Sequence, residues 1–385
     1  MRRVVLVLAG LLAAGSARAE DPRAWQHGID IVRMPGGSSL LLWSSSGMVP
    51  TGPGTDGNWT HDVFVADPAD PASARPLVSA PEAQEPVSAA TSADGRLMVT
   101  FEDGWDTPSE VSQRFALYGP DLAPLAPYPQ LVADGGHSGH VAAAGDRFVV
   151  VYSDGWIDGG GVDGLGTGRD VLVKVFSSGG RELHRLTVAK DRRDWWPLVA
   201  ASPRRALLLW QRFQPGRPTA RLMAAVLDPA TGVLIRPPAA VAADVRLYTY
   251  AVAFVPATGR FVVTGTTGAG AGFAALVDEA GRIVARRGNL LPTVREAKLA
   301  VDGARVLQLT APTGGMVFSV AGDQLTPVSV LADDHPWQGI GAVAELDKAG
   351  AAQVFSLSKG GLIVRRLPPG LPAQPVGRGL KETRR

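Results

Sequence analysis

The sequence predicts an all-β protein with a single β-propeller, because one pattern of short apolar runs recurs along almost all of its 385 residues. The clearest runs are "LLLW" at 40, "LMVTF" at 97, "FVVVY" at 148, "LLLW" at 207, "FVVTG" at 261, "VLQLT" at 306 and "VFSLS" at 354. Their starts lie 45 to 59 residues apart, a spacing typical of propeller blades. The runs are short and bounded by Gly, Pro and Asp, which favours strands over helices.

Each unit is predicted to contain four strands. The run is preceded by a segment such as "PVSAAT", "GHVAAA" or "PLVAAS" and followed by a third strand such as "DVFVAD" or "DVLVKVF". A weaker fourth strand, as in "RELHRLTVA", completes the unit. Seven four-stranded blades fit residues 20–368, with six or eight blades as alternatives. The seventh unit has no clear fourth strand, so either "QPVGRG" or the N-terminal segment around Trp25 to Met34 is expected to close the ring.

Units 2 to 4 resemble a repeat family that is common in bacterial secreted proteins. The stretch "DRFVVVYSDGW" followed by "GRDVLVKVFSSGGRELHRLTVAKDRRDWWPLVAA" carries the Val-Ala-Ala, "FVVVW"-like and "DV" elements of that repeat almost continuously. The resemblance fades in units 5 to 7. It implies a blade fold and no particular activity, because propellers host many functions.

The N-terminus has the features of a cleaved signal peptide. Arg2 and Arg3 form a basic start, Val4 to Gly15 is apolar, and the small-x-small triplet ending at Ala19 predicts cleavage after that residue. A buried helix or a membrane anchor is the alternative for residues 1–19. Export by the general secretory route would place the mature chain in the periplasm or the medium.

The mature chain is expected to be soluble, with no membrane insertion, because no later run reaches about 18 consecutive apolar residues. Residues 369–385 form a Pro-rich basic tail that is expected to be disordered. Removing residues 1–19 takes away Arg2, Arg3 and Arg18, so a net charge of +2 minus 3 becomes −1. This charge gives little support to nucleic-acid binding. The chain has no cysteine, which excludes disulfides, thiolate metal sites and a cysteine nucleophile.

A stretch rich in Gly and Asp, residues 153–169, joins the second and third strands of unit 3. Its G-x-G-x-x-G pattern is followed by a strand rather than a helix, which argues against dinucleotide binding. Calcium is a weak alternative to a plain hairpin loop, and no other cofactor is expected. The oxygen ligands would come from Asp154, Asp158, Asp163 and Asp170. Trp105 and Trp156 begin equivalent loops and are expected either to pack on the blades or to meet a ligand.

The candidate site is the rim of the central opening, where each chain segment enters an innermost strand. Aligning the units on their Val-Ala-like pair gives one position per blade, occupied by Gln84, His137, Trp195, Tyr248, Arg295 and Gly339. The next position is occupied by Glu85, Ser138, Trp196, Thr249, Glu296 and Ile340. Other candidates close by in sequence are His140, Asp194, Tyr250, His335 and Trp337. Packing between neighbouring loops is the alternative role for all of them.

Within the pair "WW" before Pro197, Trp195 is predicted to face the opening and Trp196 to pack against the blade. The reason is that proline favours an extended residue before it, and adjacent extended residues point in opposite directions.

Known catalytic motifs are missing. There is no G-x-S-x-G and no sialidase Asp-box. His137 and His140 lack a third zinc ligand at a fixed spacing. A paired-carboxylate glycosidase would draw on two acids that face each other across the opening. The candidates are Glu85, Asp194, Glu296 and Asp334.

The favoured interpretation is therefore an exported propeller that binds a ligand, or an envelope or extracellular protein, through its loop-rich face. The alternative is a polysaccharide-acting enzyme. Propeller lyases that act on uronic-acid polymers look similar in outline, which implies His137 as base, Tyr248 as acid and Arg295 as the group that neutralises a carboxylate. A purely structural module of an envelope assembly is a third hypothesis. Convergence of the His, Tyr and Arg side chains on one cavity would distinguish the enzyme from the binding module.

Overall fold

Seven antiparallel sheets follow one another along the chain and surround a central channel, which confirms the predicted seven-bladed β-propeller. The structure is a computed structural model. It describes residues 28–45, 62–80, 84–103, 111–126, 129–157, 167–190, 192–337, 341–358 and 361–373. Within these ranges no helix has the length and apolarity needed to cross a membrane.

In each blade the strands run consecutively from the channel outward. Blade 1 contains β1 (Ile29–Arg33), β2 (Ser39–Ser45), β3 (Asp62–Asp67) and β4 (Asp70–Val78). Blade 2 contains β5 (Gln84–Thr91), β6 (Leu97–Asp103), β7 (Ser112–Tyr118) and β8 (Gln130–Asp134). Blade 3 contains β9 (Gly136–Ala144), β10 (Arg147–Ile157), β11 (Thr167–Ser177) and β12 (Glu182–Ala189). Blade 4 contains β13 (Asp194–Ala201), β14 (Ala206–Phe213), β15 (Thr219–Asp228) and β16 (Val233–Arg246).

The last three blades repeat the arrangement. Blade 5 contains β17 (Tyr250–Val255), β18 (Arg260–Thr266), β19 (Gly272–Val277) and β20 (Ile283–Leu290). Blade 6 contains β21 (Ala300–Asp302), β22 (Arg305–Leu309), β23 (Gly315–Ala321) and β24 (Gln324–Leu331), and β28 (Leu371–Pro372) pairs with the outer edge of β24. The described part of blade 7 contains β25 (Ala342–Leu346), β26 (Ala352–Ser358) and β27 (Gly361–Leu367).

Hydrophobic packing between neighbouring blades explains why the second-strand runs are apolar on both faces. In β14, Leu207 and Leu209 pack toward blade 5, whereas Leu208 and Trp210 pack toward blade 3. Successive strand residues point to opposite faces, so a strand enclosed on both sides needs an uninterrupted apolar run. The buried residues form a cluster between each pair of adjacent blades, including blades 7 and 1.

The ring closes by direct contact between blades 7 and 1. Trp43 and Phe64 of blade 1 share a buried cluster with Phe355 of blade 7. The amide Nε2 of Gln353 donates a hydrogen bond to the carbonyl oxygen of Pro68 at 3.0 Å. The N-terminal segment proposed as a closing strand instead supplies β1, the innermost strand of blade 1, and "QPVGRG" lies outside the described residues.

Buried polar side chains connect the second strand of one blade to the entrance of the next. Gln211 in β14 accepts a hydrogen bond from the backbone N–H of Tyr248 at 3.0 Å. Glu102 in β6 accepts the backbone N–H of Ser138 in the same way. The N–H groups of Tyr248 and Ser138 lie before or within a break in the regular strand pairing. A side-chain oxygen is therefore needed to accept their hydrogen bonds.

We predict that Gln211→Leu lowers the free energy of unfolding by about 1–3 kcal/mol, because it leaves the N–H of Tyr248 without its acceptor in a partly buried position. Gln214→Leu is the matched control, because Gln214 donates from an exposed position and its loss should cost under about 1 kcal/mol. Urea melts of both variants measure the difference. Equal effects would show that the connection between these blades does not depend on Gln211.

Candidate functional site

The central channel contains a cavity of about 210 Å³ that receives residues from the entrance or first strand of all seven blades. It lies toward the loop-rich face, the face that carries the connections between blades and the loops between second and third strands. Backbone and small apolar side chains form much of its wall. Its polar and aromatic lining residues include Asp30, His140, Trp196, Tyr250, Glu296 and Lys298.

Four consecutive blades enter the channel wall through a residue with left-handed backbone. The φ angles are +57° at Ser138, +52° at Trp196, +61° at Tyr248 and +55° at Glu296. We call these four the entry residues. None is glycine, although a left-handed conformation costs a residue with a Cβ atom about 1–2 kcal/mol. Such strain in bulky residues is typical of functional sites or tight structural constraints.

The entry residues correct the sequence alignment of the blades. Strand pairing shifts by one residue after His137 in blade 3 and after Trp195 in blade 4, and the equivalent shift in blade 2 follows Glu85. Glu85, not Gln84, is therefore the counterpart of His137. Tyr248 is likewise the counterpart of Trp196 rather than of Trp195. An alignment on the Val-Ala pair cannot detect these shifts, because a β-bulge changes the register without changing the residue types.

The prediction for the tryptophan pair was wrong. Trp195 is buried with 2% of its surface exposed, whereas Trp196 lines the cavity. Trp196 is not extended before Pro197: its φ of +52° and the bulge between Trp195 and Leu198 break the alternation of side chains. The tryptophan that faces the channel is therefore the second of the two.

Aromatic rings form a continuous group at the channel mouth. The ring of Trp196 meets His140 at 5.5 Å and Tyr248 at 5.0 Å between centroids, both nearly edge to face. Trp195 donates from Nε1 to the hydroxyl of Tyr248 at 3.1 Å, and the hydroxyl of Tyr250 donates to the carbonyl oxygen of Trp196. These contacts hold Trp196 in one orientation.

Charged side chains of the mouth are paired with one another. Arg295 donates from Nε to Glu296 at 3.0 Å, and its guanidinium lies 4.9 Å from the ring centroid of Tyr248. Lys298 forms an ion pair with the buried Asp30, whose carboxylate also accepts the backbone N–H of Ala89 at 2.7 Å. Both carboxylates of the cavity wall therefore have a cationic partner.

His137 lies in a different cluster from Tyr248 and Arg295. Its Nε2 is 3.2 Å from the carbonyl oxygen of Gly155, its Nδ1 is 3.0 Å from the hydroxyl of Ser138, and its ring packs edge to face on Trp156. Burial lowers the pKa of His137 to about 4. Trp156 thus packs on its own blade and still exposes 44% of its surface.

His140 is the histidine that lines the channel. Its Nδ1 lies 3.1 Å from the carbonyl oxygen of Ser138, which accepts a hydrogen bond when the proton is on that nitrogen. Burial, reinforced by the nearby ammonium of Lys298, lowers the pKa of His140 to about 4. The imidazole is therefore neutral at pH 7.

Other residues predicted at the rim form hydrogen bonds and ion pairs within the propeller rather than lining the cavity. Gln84 is buried, with its Nε2 3.3 Å from Asp103. Asp194 binds Arg212 and the indole Nε1 of Trp210, each at 2.7 Å, and burial raises the pKa of its carboxyl group. Thr249 donates from Oγ1 to the carbonyl oxygen of Arg246. Gly339 and Ile340 lie outside the described residues.

The connection from blade 6 to blade 7 carries His335 and Trp337. Trp337 donates from Nε1 to the carbonyl oxygen of Thr310 at 2.8 Å, and Arg365 lies over its ring. His335 is exposed beside Asp333 and Asp334, so these three residues bring potential metal ligands together. Asp333 is already bound to Arg365 at 3.1 Å.

The Gly- and Asp-rich stretch is bounded by paired strands. Asp154 and Asp170 are opposite each other in β10 and β11, and Asp154 accepts the backbone N–H of Gly155 at 2.8 Å. Asp158, Asp163 and Trp105 lie outside the described residues, so the calcium hypothesis stays a prediction.

Sequence reasoning missed Asp30 and Lys298. Each lies within or just before an innermost strand, in the segments "GIDIVRM" and "AKLAV". A single charge inside an otherwise apolar strand segment is the signal that could have identified them, because unpaired charges are rarely buried.

We predict that Trp195→Ala lowers the free energy of unfolding by roughly 3–5 kcal/mol, as expected for truncating a buried aromatic side chain. Trp196→Ala should cost less than about 2 kcal/mol, because its ring is only partly buried. Denaturant melts compare the two variants. A larger loss for Trp196 would contradict the assignment of Trp195 to the core.

Stability should fall as the pH drops from about 6.5 toward 4. His137 and His140 have folded-state pKa values of about 4, below the ordinary value of 6.5, so the unfolded chain binds more protons in this window. Between pH 6.5 and 4, the melting temperature of His140→Gln should fall less than that of the unchanged chain. His184→Gln, on the outer strand β12, should behave like the unchanged chain. An unchanged pH profile for His140→Gln would contradict the prediction.

Comparison with known proteins supports the fold alone. No protein-family model matches the chain, and no curated protein matches its sequence, so membership of the bacterial repeat family stays a prediction.

The structure is similar to polysaccharide lyase Uly1, with a TM-score of 0.51, 8% identity and 91% of each chain covered. It is also similar to the Dos1 propeller, with a TM-score of 0.52, 10% identity and coverage of 92% of this chain and 88% of that one. An α-L-arabinofuranosidase from Fusarium graminearum matches with a TM-score of 0.49, 13% identity and coverage of 80% and 94%. The likeness to the Dos1 propeller shows the β-propeller fold and, at this identity, nothing beyond the fold.

Proposed function

We propose that this propeller is a ligand-binding module that holds a saccharide ring at the mouth of its central channel. The position of Trp196 is the main observation that supports this proposal. Its indole is held at the channel wall on a left-handed backbone, between His140 and Tyr248, although glycine would adopt that conformation at lower cost.

The chemistry of the mouth suits a sugar. A saccharide ring has an apolar face that packs on an aromatic side chain and hydroxyl groups at its edge that need hydrogen-bonding partners. Next to Trp196, the cavity offers the neutral imidazole of His140, the carboxylate of Glu296 and the ammonium of Lys298. Its volume of about 210 Å³ is below the roughly 300–1,000 Å³ of drug-sized sites, which favours a single ring.

A binding role is better supported than the lyase hypothesis. His137 contacts Ser138, Gly155 and Trp156, while Tyr248 and Arg295 contact each other, so the proposed base and acid do not share a cluster. The guanidinium of Arg295 already faces Glu296. A catalytic arginine would instead have to meet the carboxylate of a substrate.

We also propose that the protein acts after export. The basic start, the apolar stretch and the small-x-small triplet of residues 1–19 support a cleaved signal peptide and a location in the periplasm or the medium. A ligand at the loop-rich face could then be a free or surface-attached glycan. An envelope or extracellular protein is the alternative partner.

A glycan array probed with the purified mature chain tests the proposal. We expect binding to a defined group of glycans and about a tenfold or greater loss for Trp196→Ala, the effect of removing an aromatic contact. Trp156→Ala is the matched control, because Trp156 is a partly exposed tryptophan on the same face but outside the cavity lining.

The control should bind as the unchanged chain does. An array on which the unchanged chain binds no glycan would contradict the saccharide proposal and leave the scaffold hypothesis. Unchanged binding by Trp196→Ala would instead place the site elsewhere on the propeller.

A further inference from the structure

Positive charge is concentrated in blades 4 and 5. Residues 192–290 contain 13 arginines and no lysine against 5 aspartates and glutamates, a net charge of +8 at pH 7. The entire chain has a net charge of only +2. A local excess of this size produces a positive potential at the surface that attracts anionic ligands.

Five of these arginines lie at the loop-rich end of blade 4, and we call them the arginine rim. Arg192 and Arg193 lie in the connection that leads into β13, Arg217 in the loop before β15, Arg221 near the start of β15 and Arg246 at the end of β16. All except the half-buried Arg193 are exposed.

The charges at this end of the blade are poorly compensated. The side chains of Arg192, Arg217 and Arg221 form no ion pair or hydrogen bond within the described ranges. Among the described residues at this end, Asp194 binds Arg212, and Asp244 accepts the backbone N–H of Gly268.

The opposite end of blades 4 and 5 behaves differently. There, arginines in the turns between strands are paired with acids. The pairs are Arg204 with Glu279, Arg205 with Asp228, Arg260 with Asp323 and Arg282 with Asp278. Arg236, near the start of β16, is the exception that forms no ion pair in the described residues, but most of the uncompensated charge of blade 4 lies at its loop-rich end, the end that holds the channel mouth.

The arginine rim is continuous with the aromatic mouth. Arg193 precedes Trp196 by three residues and Arg246 precedes Tyr248 by two. An extended chain advances about 3.3 Å per residue, so these backbone positions are within roughly 7–10 Å of one another. Because the chain runs from the outer edge of the ring to the channel, the arginines lie on the outer side of the aromatic residues.

We propose that the arginine rim binds the anionic groups of a negatively charged polysaccharide, one ring of which occupies the channel mouth at Trp196. This inference rests on the proposed saccharide site and adds the charge of the ligand. Guanidinium groups form paired hydrogen bonds with carboxylate, sulfate and phosphate groups. The arginines are spread along an open surface, which fits a chain of repeated charges better than a single small anion.

Affinity electrophoresis in gels containing a polysaccharide tests the proposal. The probes are polygalacturonate, which carries carboxylates, dextran sulfate, which carries sulfates, and uncharged dextran. We expect retardation by at least one charged polymer, no comparable retardation by dextran, and weaker binding at 300 than at 50 mM NaCl because salt screens the attraction. The polymer that binds identifies the anionic group.

The triple variant R217Q/R221Q/R246Q should bind the charged polymer roughly tenfold more weakly, since exposed charge contacts are individually small and act together. The control R33Q/R236Q/R286Q removes the same charge from exposed arginines elsewhere that form no ion pair in the described part of the chain. It should bind like the unchanged protein. Melting curves verify that both variants fold.

Equal losses in both triple variants would overturn the proposal, because binding would then follow net charge alone. Equal retardation by dextran, or binding to vesicles containing phosphatidylglycerol without binding to either charged polymer, would also overturn it. Failure of the saccharide site can be distinguished from failure of the arginine rim. If only the saccharide site is wrong, Trp196→Ala leaves polymer binding unchanged while the triple variant of the rim reduces it.

Discussion

The channel mouth depends on one backbone constraint, which is the left-handed conformation where the chain enters the innermost strand. Ser138, Trp196, Tyr248 and Glu296 share this conformation in four consecutive blades. The chain must turn there from the connection on the rim into the channel wall, and the bulge that accompanies the turn changes which side chain faces inward. The neighbouring blade stabilises the turn through Gln211 and Glu102, so blade packing and site geometry have the same physical origin.

The fold could be predicted because its signal is repeated and long. Apolar second strands such as β14 are enclosed on both faces, and seven of them at similar spacing leave little alternative to a propeller. The position of the candidate site at the rim was also predicted from topology. The register of the residues at the rim could not be predicted, because a one-residue bulge does not change the types of residue in the strand. Trp195 and Trp196 were exchanged for this reason, and Gln84 and Tyr248 were aligned one position away from their structural counterparts.

Pairing of charges at and near the channel mouth favours the proposed binding role over a catalytic one. Asp30 is paired with Lys298, Glu296 with Arg295 and Asp194 with Arg212. Groups that stabilise one another in this way supply hydrogen bonds and shape but are poorly suited to move a proton. In the proposed function, the aromatic residues determine what is bound at the mouth, and the arginine rim of blade 4 adds a preference for negative charge.

The most direct test of the account is a crystal structure of the chain with an oligosaccharide that it binds on a glycan array. We expect a sugar ring in contact with the indole of Trp196, inside the mouth formed by the entry residues, with any anionic groups directed toward blade 4. A ligand bound at another blade or on the opposite face, with the mouth empty, would contradict the assignment of the channel mouth as the binding site.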